Sequence, residues 1–201
     1  MINQIKQRLL SLDDPAEIHD VFKSAAVLMP LIRNQFTNEW EVIFTRRADH
    51  LKHHPGQISF PGGGYEADDQ KLSVTAKRET WEEIGIQQDS IELIGKLPQQ
   101  ETISRYYVTP FVGVVDDNSL FQKNVFDSSQ LTIDSNEVAE VFTAPLEFVI
   151  NKQNQQLVTK TFEGTEYSFY VIQYQDYYIW GATAKILNNL TNMLDTKLVN
   201  S

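Results

Sequence analysis

The sequence contains no cysteine, and this absence excludes several kinds of chemistry. Without thiols the chain forms no disulfides, offers no thiolate nucleophile and lacks the usual ligands of structural zinc sites. A cysteine-free composition is compatible with a cytoplasmic protein, and the cytoplasm is the location we expect. The sequence also lacks any apolar run approaching the ~20 residues that a membrane helix needs, so we expect no membrane partner.

Positive charge is scarce as well. The 201 residues include 17 Lys and Arg against 27 Asp and Glu, which gives a formal net charge of −10. This balance argues against an extended basic surface that would bind the phosphate backbone of a nucleic acid, so we expect no nucleic-acid partner. An anionic substrate must therefore be bound by local positive groups or by a metal ion.

The stretch of residues 60–86 carries the strongest functional signal. If its second half is a helix, Glu79, Glu82 and Glu83 fall within one arc of roughly 100° on a single side. Hard cations take oxygen ligands, and magnesium in particular is held by a few carboxylates together with substrate phosphates. The cluster therefore predicts a site for Mg²⁺ or Mn²⁺ and phosphate. The alternative is a solvated acidic face, which is what most helical glutamates form.

The residues around these glutamates favour the metal site. Three glycines, Gly62, Gly63 and Gly64, precede the helix and allow backbone to approach a ligand closely. Gly85 follows the acidic turn, where a left-handed residue commonly ends a helix. We also expect small residues beside the acids and a second, apolar face that anchors the helix. The small residues are Thr75 and Ala76, and the apolar ones are Val74, Trp81 and Ile84.

The same stretch resembles the signature of the Nudix hydrolases. That signature has Gly, five residues, Glu, seven residues, and then Arg-Glu-apolar-any-Glu-Glu-any-Gly-apolar. The second part is matched by Arg78-Glu79-Thr80-Trp81-Glu82-Glu83-Ile84-Gly85-Ile86, with Thr80 in the apolar slot, and Gly64 falls on the first glycine. The resemblance implies metal-dependent hydrolysis of a phosphoric anhydride, with Glu79, Glu82 and Glu83 holding the metal.

The upstream glutamate of the signature is where this chain departs from the pattern. That position is occupied by Gln70, with Asp69 beside it. Either a one-residue insertion makes Asp69 the counterpart, or this carboxylate is dispensable here, and the sequence leaves both open. Arg78 is expected to neutralise neighbouring acids and to hold the preceding loop. We assign it, with Gly64 and Gly85, to structural support of the site.

A cationic window covers residues 46–59, immediately ahead of the glycines. Its composition alone is also typical of a solvated loop. Its three histidines do not favour a zinc site, because no cysteine accompanies them. The run Arg47-Ala48, Lys52, Gly56 and Phe60-Pro61-Gly62-Gly63 resembles the element that precedes the signature in coenzyme A pyrophosphatases, where the Lys52 position is usually Arg. Lysine keeps the charge and loses the bidentate fork. We expect substrate-binding roles for Arg46, Arg47, Lys52, Gly62, Gly63 and Arg105.

Further stretches resemble that subfamily in the same order, so that the likeness spans about residues 42–187. They are residues 97–98, 108–113, 137–142, 145–146 and 179–184. The resemblance implies that coenzyme A, a small-molecule nucleoside diphosphate derivative, is split into 3′,5′-adenosine diphosphate and 4′-phosphopantetheine. Candidates for binding its extra 3′-phosphate are Arg46, Arg47, Lys52 and Arg105.

Strand and helix patterns predict an α/β fold. Helices on both sides of the strands imply a Nudix-type three-layer α/β/α sandwich with a mixed sheet and a short N-terminal helical extension. We divide the chain into that extension, residues 1–24, built of two short helices and packed on a Nudix hydrolase domain, residues 25–195. Pro110 predicts a bulge or an edge position in the strand over residues 107–115, and residues 116–135 predict a mobile, irregular connection.

Two carboxylates compete for the role of general base. Glu137 begins a strand after a long loop, and in the enzymes that the chain resembles a carboxylate from this region reaches the metals or the attacking water. Glu82 lies among the expected metal ligands, and the sequence does not separate the two candidates.

Three functions stay open at this point. The first is a coenzyme A pyrophosphatase, and the second is a Nudix pyrophosphatase that prefers a sugar nucleotide, a dinucleotide or an oxidised nucleotide. The third, motivated by Gln70, is a Nudix-like binding module without turnover. An exposed apolar patch would allow a homodimer in any of the three cases.

Overall fold

The computed structural model describes residues 1–12, 23–102, 105–162 and 165–195. Over these residues the chain alternates strands with helices. The helices are α1 (Ile2–Lys6), α2 (Leu72–Ile84), α3 (Leu146–Val149) and α4 (Gly181–Asp195). The strands are β1 (Lys23–Arg33), β2 (Trp40–Arg47), β3 (Ile58–Ser59), β4 (Gly62–Gly64), β5 (Ile91–Lys96), β6 (Gln100–Glu101), β7 (Tyr106–Val115), β8 (Phe121–Gln122), β9 (Val125–Phe126), β10 (Val138–Pro145), β11 (Gln155–Phe162), β12 (Thr165–Tyr174) and β13 (Tyr177–Trp180).

Eight strands form one mixed sheet that carries the fold. Its main path runs β10-β2-β1-β7-β5, with β3 beside β2, β4 beside β1 and β6 beside β7. β1 and β7 run parallel, from Lys23 opposite Tyr106 to Ile32 opposite Val115, whereas the other neighbours pair antiparallel. Both central strands are apolar on both faces because each face is covered by other parts of the chain. The mixed sheet expected from the sequence is confirmed.

Apolar side chains on the two faces of the sheet define three layers. On one face α2 packs against a buried cluster that includes Ile43 and Ile84. On the other face α4 packs against a second buried cluster that includes Phe44 and Leu187. Ile43 and Phe44 are neighbours in β2 and enter different clusters because successive side chains of a strand point to opposite faces. The expected α/β/α arrangement is confirmed.

Of the bulge or edge position predicted for the strand of Pro110, the edge position was wrong, whereas the pairing of β5 with β7 does shift register between Leu93 and Gly95. Pro110 lies inside β7, between β1 and β5, and not at an edge of the sheet. A proline lacks the N–H that a central strand normally donates. The neighbouring chain is interrupted at this level, since β5 ends at Lys96 and β6 starts at Gln100, and there the Leu97 N–H donates to the Pro110 carbonyl at 2.8 Å. The break between β5 and β6 accommodates the missing donor.

The remaining strands form two small sheets. β11, β12 and β13 form a three-stranded antiparallel sheet. β8 and β9 form a two-stranded hairpin in which Leu120 and Phe121 are buried against the α2 side of the large sheet. The expectation of an irregular connection over residues 116–135 was therefore wrong, because the segment forms a hairpin whose apolar residues join the core beneath α2.

The N-terminal residues contact the domain directly. Ile5 of α1 is buried in the cluster beneath α4, and the backbones of Leu10 and Lys96 exchange hydrogen bonds of 2.9 and 3.2 Å. The second helix expected in this region falls on residues 13–22, outside the described residues. The division of the chain at residues 24 and 25 stays a prediction. Of the helices that the structure describes, none combines the length and the apolar character needed to cross a bilayer.

Candidate active site

Helix α2 presents the clustered glutamates and ends where its sequence predicts. The last helical residue is Ile84, and Gly85 follows with φ +75°, in the left-handed region. Its N–H donates to the Trp81 carbonyl at 2.8 Å, which satisfies one of the free carbonyls of the last turn. A Cβ at Gly85 would also lie 2.8 Å from the side chain of Thr132. The expected glycine stop is confirmed.

The face by which α2 packs differs from the expected one. Val74 and Trp81 are 40% and 46% exposed, so they do not anchor the helix as predicted. The buried face instead carries small or polar side chains together with two apolar ones, namely Leu72, Thr75, Ala76, Thr80, Glu83 and Ile84. Small residues allow α2 to lie close to β1 and β4. The acidic side of the helix is therefore partly enclosed.

The glycine strand β4 makes this close packing possible. β4 pairs antiparallel with β1, which places Gly63 opposite Ala26. A Cβ at Gly63 would lie 2.5 Å from the carboxylate of Glu79, and a Cβ at Gly62 would lie 2.4 Å from the Ala26 carbonyl oxygen. Position 62 therefore requires glycine, whereas a side chain at position 63 would displace the carboxylate of Glu79. A Cβ at Gly64 would meet nothing within 4 Å.

The upstream carboxylate is supplied by Asp69. Its two oxygens accept hydrogen bonds from Arg78 Nε at 2.8 Å and Nη2 at 3.0 Å, and the Thr75 hydroxyl donates to it at 2.7 Å. The bidentate contact with Arg78 lowers the pKa of buried Asp69 to about 2. Gln70 is exposed and adopts φ +60° at the end of the short turn over Ala67–Asp69. Of the two alternatives for the signature, the structure favours Asp69 as the counterpart.

Arg78 connects Asp69 to the acidic side of α2. Its Nη1 lies 3.0 Å from Glu79 Oε1 and 2.7 Å from Glu82 Oε2, and its Nη2 donates to the Gly64 carbonyl at 3.1 Å. One guanidinium therefore holds the turn before the helix, the glycine strand and two glutamates. Through these contacts Arg78 links the glycine strand to α2, which agrees with the supporting role that the sequence suggested for Arg78 and Gly64.

Glu83 is the most enclosed carboxyl group of the cluster. Its side chain is only 4% exposed, and its Oε2 accepts a hydrogen bond from the Gly62 N–H at 3.2 Å. Burial raises its pKa to about 8, with smaller contributions from the charges of Glu137 and Glu79. The Gly62 hydrogen bond and the charge of Arg47 oppose the shift. In the absence of a cation, this carboxyl group therefore tends to be protonated near neutral pH.

Glu137 joins the same cluster from a distant part of the chain. Its backbone carbonyl accepts a hydrogen bond from Ala48 N–H at 2.9 Å, just before β10 begins. Burial raises the pKa of Glu79, with Arg78 opposing the shift and the charges of Glu82 and Glu137 adding to it. The charge of Glu137 raises the pKa of both Glu79 and Glu83, so its carboxylate lies close enough to act on each. Three separate segments, at Gly62, Glu79 and Glu137, thus meet at one site.

The expected cationic residues are not gathered in one place. Arg46 and Arg47 are neighbours in β2 and point to opposite faces of the sheet. Arg46 Nη1 pairs with Asp49 at 2.9 Å and Arg46 Nε with Glu140 at 3.2 Å, whereas the charge of Arg47 acts on Glu83. Lys52 is exposed in the following loop. Arg105 is exposed just before β7, at a φ of +61°.

Comparison with known proteins places the fold and the site in a family. A family model described as the NUDIX domain matches residues 22–162. The chain belongs to the Nudix family. It is accordingly an enzyme, a Nudix hydrolase of nucleoside diphosphate-linked substrates.

Individual relatives agree with this membership. Two proteins named uncharacterized Nudix hydrolase NudL, from Yersinia pestis (strain Pestoides F) and Yersinia pseudotuberculosis serotype O:1b, are each 37% identical over 172 residues. The alignment covers 86% of this chain and 80% of each relative. The crystal structure of a MutT/nudix family protein from Enterococcus faecalis matches with a TM-score of 0.52 at 13% identity. That match covers 89% of this chain but only 63% of the other, so it shows the fold alone.

Nudix hydrolases generally use divalent metal ions such as Mg²⁺ or Mn²⁺, and the donor set here suits them. Carboxylate oxygens are the ligands that these hard cations prefer. Within the described parts of the chain no three acidic or histidine side chains already converge as a metal-binding group, because Arg78 holds Glu79 and Glu82. Buried Glu83 nevertheless faces the charges of Glu79 and Glu137. Added positive charge at this site would relieve that repulsion, so the residues fit a divalent cation.

Sequence inspection missed two features of the site. Thr75 was expected only to be small, yet its hydroxyl group donates to Asp69. The separation of Arg46 from Arg47 was also missed, although the alternation of side chains along a strand would have indicated it. By contrast, Glu137 was placed at a strand start after a long loop, and the structure brings it to the glutamates.

Proposed function

We propose that this Nudix hydrolase splits coenzyme A or its derivatives into 3′,5′-adenosine diphosphate and 4′-phosphopantetheine. The observation that carries the proposal is the element Arg47-Ala48, Lys52, Gly56 and Phe60-Pro61-Gly62-Gly63, which resembles the corresponding element of coenzyme A pyrophosphatases. In the fold this element runs from the end of β2 through the loop to the glycine strand. It therefore enters the site at the residues that contact Glu79 and Glu83.

We assign Glu79, Glu82 and Glu83 to the binding of Mg²⁺ or Mn²⁺. Such a cation supplies charge neutralisation on the diphosphate oxygens and makes water a better nucleophile near neutral pH. The protein holds the three carboxylates ready through Arg78 and the Gly62 N–H. Asp69 keeps Arg78 in place, since a guanidinium with a fixed bidentate partner presents its other N–H groups in a defined direction.

For the general base we favour Glu137 over Glu82. Glu82 Oε2 lies 2.7 Å from Arg78 Nη1, so this oxygen already has a partner within the protein. Glu137 is exposed and stands beside Glu79 and Glu83 on a different segment. Its position suits acceptance of the proton from an attacking water held between the segments.

For the 3′-phosphate of coenzyme A we retain Lys52 and Arg105. Both side chains are exposed and lie in segments that flank the site. Arg46 is better suited to holding the loop, because Asp49 and Glu140 already neutralise it. If this assignment holds, Lys52→Ala will reduce the preference for coenzyme A over its dephosphorylated form.

The experiment that tests the function is a panel of phosphoric anhydrides assayed with Mg²⁺ or Mn²⁺ and again with excess chelator. The panel contains coenzyme A, dephospho-coenzyme A, ADP-ribose, a diadenosine polyphosphate and an oxidised nucleoside triphosphate. We expect the highest kcat/KM on coenzyme A and loss of turnover in chelator. Faster turnover of another member would move the assignment to that nucleotide, and no metal-dependent turnover on any member would favour a binding module.

Variants of the two candidate bases are compared in the same assay. We expect Glu137→Gln to lower kcat by about 10²- to 10⁴-fold, the usual contribution of a general base. It should leave the affinity for Mg²⁺ nearly unchanged, whereas Glu82→Gln should weaken that affinity. The opposite pattern would assign the base to Glu82.

A further inference from the structure

Arg47 differs from the other arginines around the site. Arg78 is bound by Asp69 and two glutamates, and Arg46 is bound by Asp49 and Glu140. The guanidinium of Arg47 has no hydrogen-bond or ion-pair partner among the residues that the structure describes, and its Nε is fully enclosed. Leaving such a buried donor unsatisfied costs about 1–3 kcal/mol. The Nη groups of Arg47 are likewise not engaged by the residues that the structure describes, so they are available to a ligand.

The strand geometry directs Arg47 toward the acidic cluster. Arg47 is four residues after Ile43 in β2, so it shares the sheet face on which Ile43 packs with α2. In the pairing of β2 with β10 it lies opposite Val138, the residue after Glu137. Its positive charge lowers the pKa of Glu83, against the larger effect of burial. Arg47 therefore stands between the helix that carries Glu83 and the strand that begins after Glu137.

Backbone contacts fix this position from both ends. The Arg47 N–H donates to the Gln57 carbonyl at 3.0 Å, and its carbonyl accepts from the Gly56 N–H at 3.1 Å. Gln57 comes just before β3, which leads into the glycine strand. The backbone of Arg47 is thus held by the segment that leads into the glycine strand, where Gly62 donates to Glu83.

We propose that Arg47 binds the diphosphate group at the reaction centre rather than the remote 3′-phosphate. A guanidinium with free Nη groups offers the forked donor geometry that matches phosphate oxygens. A phosphate that enters between Glu79, Glu83 and Glu137 meets strong negative charge, and Arg47 supplies a protein cation on the sheet side of that space. The proposal rests on the Nudix function and names the role of one residue within it.

Binding of the diphosphate and binding of the 3′-phosphate differ in the set of substrates that they affect. Every nucleoside diphosphate substrate contains the diphosphate, but only coenzyme A and its 3′-phosphorylated derivatives contain the extra phosphate. Loss of Arg47 should therefore lower kcat/KM on all accepted substrates by the same factor. A 3′-phosphate ligand would instead affect coenzyme A and spare its dephosphorylated form.

The test compares Arg47→Ala, Arg47→Lys and Lys152→Ala on coenzyme A, dephospho-coenzyme A and ADP-ribose with saturating Mg²⁺. We expect Arg47→Ala to lower kcat/KM by about 10²-fold on each accepted substrate, as for other donors that stabilise a developing charge. The kcat/KM of Arg47→Lys should lie between those of the wild type and Arg47→Ala, because lysine keeps the positive charge but loses the forked donor geometry of the guanidinium. Lys152 pairs with Asp195 on the surface, and its variant should match the wild type.

A binding measurement makes the test independent of the substrate. Calorimetry with inorganic pyrophosphate and Mg²⁺ should show at least about tenfold weaker binding for Arg47→Ala, a loss of one charge-assisted contact. Thermal unfolding of both Arg47 variants monitors folding, and Arg47→Lys carries the test if Arg47→Ala unfolds. Unchanged pyrophosphate binding in a folded variant, or a loss confined to coenzyme A, would overturn the proposal. If the enzyme does not turn over coenzyme A but Arg47→Ala lowers kcat/KM equally on the other nucleotides, the role of Arg47 is supported and coenzyme A is rejected as the substrate.

Discussion

At the scale of single residues, the contact between Asp69 and Arg78 organises the acidic side of α2. Asp69 is buried and holds both Nε and Nη2 of the guanidinium, while Nη1 reaches Glu79 and Glu82. The sequence alone left open whether Asp69 is the counterpart of the signature glutamate or whether that carboxylate is dispensable here. The choice depends on the short turn over Ala67–Asp69, which points one side chain inward and the next outward. A spacing rule based on the signature carries no information about that turn.

Asp69→Asn should destabilise the protein by about 3 kcal/mol, because it leaves a partly buried Arg78 without its main counter-charge. For a chain of this size that loss corresponds to a fall in Tm of about 6–12 °C, measurable by thermal unfolding at neutral pH. Asp68→Asn is the matched control, since Asp68 is the exposed neighbour and should shift Tm little. Equal effects of the two substitutions would contradict the assignment of Asp69.

Gln70→Glu tests whether a carboxylate at the position of the signature glutamate could replace Asp69. Gln70 is exposed, so a carboxylate added there should not replace Asp69. We expect the double variant Asp69→Asn with Gln70→Glu to be as unstable as Asp69→Asn alone. Recovery of Tm in the double variant would show that the position of the family glutamate is functional in this chain.

Glu83 should make stability depend on pH when no metal ion is present. Its pKa is raised to about 8 in the folded protein, against a reference value of 4.5, so the folded state binds the proton more tightly than the unfolded chain. The stability that protonated Glu83 contributes is full below about pH 4.5 and is lost as the pH rises through about 8. Glutamine resembles the protonated form at every pH.

We therefore expect Glu83→Gln to gain stability over the wild type as the pH rises from 5 to 9 in excess chelator. The gain should reach about 2 kcal/mol, which corresponds to a Tm difference of roughly 4–8 °C. Mg²⁺ at pH 9 should raise the Tm of the wild type more than that of the variant. A Tm difference that stays constant between pH 5 and pH 9 would show that Glu83 does not carry this effect.

At the scale of elements, α2 shows which parts of a helix its own sequence determines. The end of the helix was predictable, because glycine at position 85 is suited to the left-handed conformation that it adopts. The packing face was not predictable from periodicity, because Val74 and Trp81 are apolar but exposed. What decides the face is β4, whose glycines let the small and acidic side of α2 approach the sheet. That information lies outside the helix.

Substitutions on the two sides of α2 should differ accordingly. Ile84 is completely buried, and Ile84→Ala should cost about 2–5 kcal/mol of unfolding free energy. Trp81→Gln removes a larger side chain from an exposed position and should change stability by no more than about 0.5 kcal/mol. Urea denaturation of both variants measures the difference. A larger loss for Trp81→Gln would mean that the exposed side is covered in solution.

At the scale of the whole molecule, the small three-stranded sheet is connected to the large one through Tyr177. The Tyr177 hydroxyl donates to Glu140, which also binds Arg46, and its ring stacks on Phe142 with centroids 3.7 Å apart. The network joins β13, β10 and β2 on the face opposite to α2. The strands themselves were predictable from alternating patterns, but this connection was not, because it pairs residues that are far apart in the sequence.

Tyr177→Phe should keep the ring stack and remove the hydrogen bond. We expect a loss of about 1 kcal/mol, or a fall in Tm of roughly 2–4 °C, because Glu140 loses one donor. Tyr178→Phe is the matched control on the next residue, whose side chain is 57% exposed, and it should leave Tm unchanged. Comparable shifts for both tyrosines would argue against a bridging role for the hydroxyl group of Tyr177.

The contact between Gly63 and Glu79 limits how this enzyme can be altered. Any side chain at position 63 would displace the Glu79 carboxylate, so laboratory selection for new substrates should recover no tolerated replacement there. The loop over residues 48–57, which ends just before β3, is less constrained and contains several exposed side chains. Changes of substrate range should therefore accumulate in the loop, while the bond-breaking machinery behind it stays the same.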